Sequence, residues 1–112
     1  MVVPAIFDLS SQVAQVSGAS RGIGTAAAEM LAEFGAHVIL TSRKAGKLEK
    51  IQKRIHNAGH KASLMVCDNG DLTQIRSLFE QISNKFGRLD ILVNNAATNP
   101  FYGSVLDADE SS

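Results

Sequence analysis

The stretch Val13-Ala14-Gln15-Val16-Ser17-Gly18-Ala19-Ser20-Arg21-Gly22-Ile23-Gly24 decides the reading of this chain: an apolar strand runs through a glycine-rich turn into a helix. Gly18 ends the strand where the backbone must reverse, and a side chain at Gly22 or Gly24 would hold a phosphate or the neighbouring strand too far away. Thr25 to Phe34 then open a helix whose unpaired N–H groups and positive dipole end favour a pyrophosphate. The spacing is G-x-x-x-G-x-G, distinct from the commoner dinucleotide fingerprint G-x-G-x-x-G. A nucleoside-triphosphate loop ends in Gly-Lys-Ser/Thr, whereas Gly24 runs straight into Thr25, so that class is excluded.

Outward from this turn the same pattern recurs. His37 to Thr41 is a short β-branched and apolar run, preceded by Gly35, which suits a left-handed cap on the first helix. Leu48, Ile51 and Ile55 recur at helical spacing among Lys44, Lys47, Lys50, Lys53 and Arg54, with Gly59 as the stop, and predict a helix with one buried stripe. Ala62 to Cys67 is a third strand and Asp68 to Asp71 a polar turn. Leu72, Ile75, Leu78, Phe79, Ile82 and Phe86 mark a third helix that Asp71 starts and Gly87 ends; Leu89 to Val93 supplies a fourth strand. Near-continuous apolar strands alternating with amphipathic helices imply an α/β fold, a doubly wound parallel sheet of about four strands in the order 3-2-1-4 with helices on both faces. The expectation is one domain over residues 1–112, with its core at 9–97 and a loop and loose tail at 98–112. Gln15 stands out inside a strand that should be apolar on both faces; a buried amide without partners costs about 1–3 kcal/mol, so mild destabilisation is expected there.

Composition narrows the class of function. With 112 residues only one core is available. Acidic and basic residues balance at eleven each, which leaves no basic field for nucleic acid or anionic lipid. The lone Cys67 sits in an apolar run and reads as a small buried hydrophobe in a reducing compartment. No stretch approaches a bilayer span and residues 1–10 lack a signal-peptide pattern, so the expectation is a soluble intracellular protein, cytoplasmic by default. His37, His56 and His60 fall on different elements or straddle Gly59 without companion ligands, and read as surface histidines rather than a metal centre.

Ser17 to Gly24, taken with Leu89-Asp90-Ile91-Leu92-Val93-Asn94-Asn95-Ala96-Ala97, resembles the short-chain dehydrogenase/reductase family. The resemblance runs from Leu9 to Leu106 and covers the first half of that family's Rossmann-type fold. It implies that Gly18, Ser20, Arg21, Gly22, Ile23 and Gly24 bind the cofactor, and that Asn94 and Ala96, with Asn95, line the same crevice. Ala97 replaces a usual glycine, so a positive φ there would be strained. Asp68 matches the family aspartate that contacts the adenine amino group, with Asn69 beside it; a plain turn role is the alternative. The second strand ends Thr41-Ser42-Arg43-Lys44 with no carboxylate to accept a ribose 2′-hydroxyl. Arg43 and Arg21, with Ser42 in the place of the acidic residue, point instead to the 2′-phosphate of NADP(H) in preference to NAD.

The same family transfers hydride with a serine and a Tyr-x-x-x-Lys pair, the lysine lowering the tyrosine's pKa. Neither is found here: Tyr102 is the only tyrosine, Leu106 stands four residues on, and no lysine follows Lys85. The expectation is therefore the NADP-binding N-terminal half of a carbonyl or alcohol oxidoreductase, truncated and inactive alone, with no catalytic residue and no metal. The segment Asn94 to Gly103 further resembles members that reduce carbonyl and retinoid-like compounds. The alternative reading is an interaction fragment that pairs with itself or with a full-length relative through an open sheet edge.

Overall fold

Val13 to Ser17 are buried throughout, as the central strand of a parallel sheet must be. The computed structural model describes residues 8–19, 22–68 and 70–94. In chain order they form β1 (Val13–Ser17), α1 (Gly22–Glu33), β2 (His37–Ser42), α2 (Ala45–Asn57), β3 (Ala62–Val66), α3 (Leu72–Phe86) and β4 (Ile91–Asn94). The strands pair in parallel in the order β3-β2-β1-β4, which is the doubly wound α/β order expected from the sequence.

Alternation along the strands divides the core in two. Ala14, Val16, Val38, Leu40 and Ala62 face α1 and α2, meeting Ala28 and Ala32 of α1 and the stripe Leu48, Ile51 and Ile55 of α2. Val13 and Ile39 face the other way and meet Leu78 and Ile82 of α3, with Met65, Phe86 and Leu89 beside them. Coverage is less complete there: Leu72 is 79% exposed and Leu92, on the outer strand β4, 56%.

Capping follows local chemistry. Asp71 has an extended backbone and its carboxylate accepts from the N–H groups of Thr73 and Gln74, while Gly87 closes α3 at φ 71°. Gly35 ends α1 at φ 109° and Gly59 follows α2 at φ 87°. Two boundaries differ from the sequence reading by more than one residue. The first helix begins at Gly22 rather than Thr25, so the last two glycines of the motif belong to its first turn, tertiary placement overriding their poor helix propensity. The fourth strand begins at Ile91 rather than Leu89, because a side chain takes over the ladder: Asp90 N–H donates to Val13 O at 2.9 Å and Asp90 Oδ2 accepts from Val13 N at 2.8 Å. Arg88 grips the same carboxylate through Nε at 2.8 Å and Nη2 at 2.7 Å, and these bonds hold the Asp90 carboxyl below its ordinary pKa.

Gln15 is 3% exposed on the α3 side of β1, flanked by Ile39 and Leu92 in the neighbouring strands. Its Nε2 donates to Thr41 Oγ1 at 3.2 Å, while Oε1 has no partner among the described residues. Gln15→Met is expected to raise stability by about 1 kcal/mol, read as a higher urea midpoint, because the orphaned carbonyl disappears and Thr41 keeps its bond to Val16 O. A lower midpoint would show that the Gln15–Thr41 bond outweighs the orphan.

Candidate functional site

The sheet order places the strand after β1 on one side of it and β4 on the other, so a crevice opens beyond the C-terminal ends of β1 and β4. The register is level: Ser17 stands opposite Thr41 of β2 and Asn94 of β4, and Ser42 opposite Val66 of β3. Gly18, Ser42, Arg43, Asp68 and Asn94, from four separate stretches of sequence, are thereby carried to one edge of the sheet. Ser20, Arg21, Asn69, Ala96 and Ala97 lie outside the described residues, as do Tyr102 and the expected tail.

Gly18 leaves β1 at φ 65° and Gly22 enters α1 at φ 27°, both in the range that favours glycine. A Cβ built at Gly22 meets nothing within 4 Å among the described residues. Ile23 is 79% exposed and Gly24 buried, and the first turn of α1 carries no acidic residue. A glycine turn, backbone N–H groups at a helix start and no competing carboxylate suit the pyrophosphate of a dinucleotide.

Each strand end is locally braced. Ser17 Oγ donates to Asn94 Oδ1 at 2.9 Å and lies 3.3 Å from Val93 O, joining β1 to β4 at the crevice floor. Ser42 Oγ donates to Lys44 O at 2.8 Å and accepts from Lys44 N at 3.3 Å, which folds the chain around Arg43 and leaves Arg43 exposed. Asp68 Oδ1 accepts from Gly70 N at 2.9 Å, so the turn role weighed for it is present. Cys67 is buried next to it, and burial followed by the Asp68 and Asp71 charges raises its pKa, which keeps the thiol protonated and unreactive. Two of the histidines bind protein groups: His37 Nε2 lies 2.8 Å from Ser63 Oγ and His56 Nε2 2.9 Å from Ala62 O. Burial, then the Lys61, Lys85 and His56 charges, lowers the His37 pKa.

The family model described as short chain dehydrogenase matches residues 12–111. The chain belongs to the short-chain dehydrogenase family. Dehydrogenase/reductase SDR family member 4 of Sus scrofa is 38% identical over 102 residues, which are 91% of this chain and 37% of that protein. A tropinone reductase homolog of Datura stramonium is 40% identical over 93 residues, 82% of this chain and 35% of that protein. Among solved structures, a metagenomic short-chain oxidoreductase in complex with NADP superposes with a TM-score of 0.79 at 41% identity, covering 88% of this chain and 45% of that one. The chain thus spans less than half the length of these relatives.

Three residues that brace this candidate site were missed in the sequence. Ser17, Thr25 and Thr41 bond the glycine turn or its neighbours through their hydroxyls or backbone. The signal available was hydroxyl side chains at strand ends and just past the last glycine, which spacing alone could not separate from ordinary polar positions. A shallow groove of about 520 Å³ on α3, lined by Leu72, Ile75, Arg76, Phe79, Glu80 and Ser83, contains none of the strand-end residues. Among the described residues no helix is long and apolar enough to cross a membrane.

Proposed function

We propose that this chain is the NADP(H)-binding part of an oxidoreductase acting on carbonyls and alcohols. In that reading Gly18, Ser20, Gly22, Ile23 and Gly24 receive the pyrophosphate, Arg43 with Arg21 receives the 2′-phosphate beside Ser42, and Asp68, Asn69, Asn94 and Ala96 line the adenine and ribose side of the crevice. The observation that carries it is the end of β2, where Arg43 stands exposed in a turn closed by the Ser42 hydroxyl and no carboxylate is present to hold a 2′-hydroxyl. The solved relative in complex with NADP supports the same choice. Bound, the cofactor supplies a hydride. The residues of this chain bind and orient it, through helix N–H groups at α1 and the Arg43 fork. The tyrosine-lysine pair that would hold and move the substrate proton is not among these 112 residues, so they do not turn over alone.

Calorimetric titration with NADPH and NADH tests the reading. NADPH is expected to bind the more tightly, and Arg43→Ala to weaken NADPH about tenfold with NADH unchanged, the loss of one charge-assisted contact. Tighter NADH, or equal weakening of both, would remove the 2′-phosphate assignment; no saturable binding of either would remove the binding module itself.

A further inference from the structure

Asp71 caps α3 and Gln74 stands three residues on, the spacing of a capping box. In that motif the side chain at the third helical position ordinarily bonds the N–H of the capping residue. Here the Asp71 N–H is already given to Asp68 O at 3.0 Å, and Gln74 reaches past it: Oε1 accepts from Asp68 N at 2.9 Å while Nε2 donates to Asp71 Oδ2 at 3.3 Å. One side-chain amide thus joins the residue after β3 to the start of α3. Asp68 is held at three points, its N–H by Gln74, its carbonyl by Asp71 and its Oδ1 by Gly70 N at 2.9 Å, and Oδ2 carries no bond among the described residues. Beside it, Cys67 N donates to Ser42 O at 2.9 Å, which ties the same strand end to β2 next to Arg43.

We propose that Gln74 is a positioning residue for adenine recognition: by holding the Asp68 backbone it keeps the remaining carboxylate oxygen, Oδ2, poised for the exocyclic amino group of an adenine. The proposal rests on the dinucleotide-binding reading above, in which Asp68 lines the adenine side. Gln74 acts through Asp68 and does not touch the ligand. A carboxylate already fixed in place accepts from an amino group without first losing conformational freedom. With a side chain that cannot accept, the Asp68 N–H turns to water, the carboxylate samples other orientations, and the fraction ready for the amino group falls. The α3 cap does not depend on the Gln74 side chain, because Asp71 Oδ1 still accepts from the N–H groups of Thr73 and residue 74. Stability and adenine recognition therefore separate.

The whole 112-residue chain is titrated by calorimetry with NADPH and with deamino-NADPH, in which hypoxanthine replaces adenine and a carbonyl oxygen stands where the amino group was. Wild type is expected to prefer NADPH about tenfold, the range of one hydrogen bond to a charged group. Gln74→Met, similar in length and helix propensity, lowers that preference to about twofold by weakening NADPH alone. Amide hydrogen exchange at Asp68 rises with it, while the thermal midpoint stays at the wild-type value. Asp68→Ala abolishes the preference, and Gln74→Met adds nothing in that background. Gln74→Glu combined with Asp71→Asn exchanges donor and acceptor within the bridge, keeps both the cap and the bond to Asp68 N, and restores the preference. An undiminished preference in Gln74→Met, equal weakening of both nucleotides, a further loss when Gln74→Met is added to Asp68→Ala, or a swapped pair that melts as wild type without restoring the preference overturns the proposal. A wild type that binds both nucleotides equally also overturns it and leaves the cofactor reading standing. A wild type that binds neither overturns that reading and the proposal together.

Discussion

Leu40→Ala is expected to lower the unfolding free energy by about 3–4 kcal/mol, the cost of deleting a large aliphatic side chain from a packed interior. Leu40 is 0% exposed on β2 and packs in the cluster that joins β1, α1 and α2. Domains of this size have only about 5–15 kcal/mol in total, so the variant stands near the limit of folding. Leu40 also lies two residues before Ser42, so the strand that carries Arg43 to the crevice loosens with it. Urea denaturation of wild type, Leu40→Ala and Leu72→Ala checks this, Leu72 being 79% exposed and expected to change stability by no more than about 0.5 kcal/mol. Similar losses in both variants would mean that the α1 and α2 face is not the packed core.

Gly35→Ala is expected to be almost as costly, about 3 kcal/mol, for a different reason. Gly35 has φ 109°, and a Cβ there would lie 3.1 Å from both the Cα and the N of Ser10, backbone atoms that a rotamer change cannot move. The segment it would push is pinned by Leu9 N–H to Phe34 O at 2.8 Å and leads directly into β1. Gly87 has φ 71° and nothing within 4 Å of a built Cβ, so Gly87→Ala carries only the left-handed strain, about 1 kcal/mol. Thermal melts of the two variants separate strain from collision; equal shifts would show that the Ser10 contact relaxes at no cost.

Much of the architecture could be read before any coordinates. The largely apolar runs of β1 and β2, the stripe Leu48, Ile51 and Ile55 on α2, and the Asp71 and Gly87 ends of α3 all stand where local pattern put them. The glycine turn was legible too, since Gly18 and Gly22 adopt the positive φ that glycine alone takes without strain. The boundaries that moved did so for non-local reasons: α1 reaches back to Gly22, and β4 waits until Ile91 because the Asp90 carboxylate bonds to Val13, 77 residues earlier.

Residue pattern by itself determined the element types and the glycine turn, because helical stripes, caps and positive φ are governed by neighbours within one or two turns of chain, and the strict alternation of strand and helix implied a parallel sheet. Only the tertiary structure decided that Ser17 meets Asn94, that Thr25 reaches Ala19, that Ser42 is spent on its own turn around Arg43, and that Gln15 keeps one oxygen without a partner among the described residues. Those facts depend on which strands become neighbours and at what register, so the same hydroxyl or amide is a solvated group in one topology and a brace or an orphan in another.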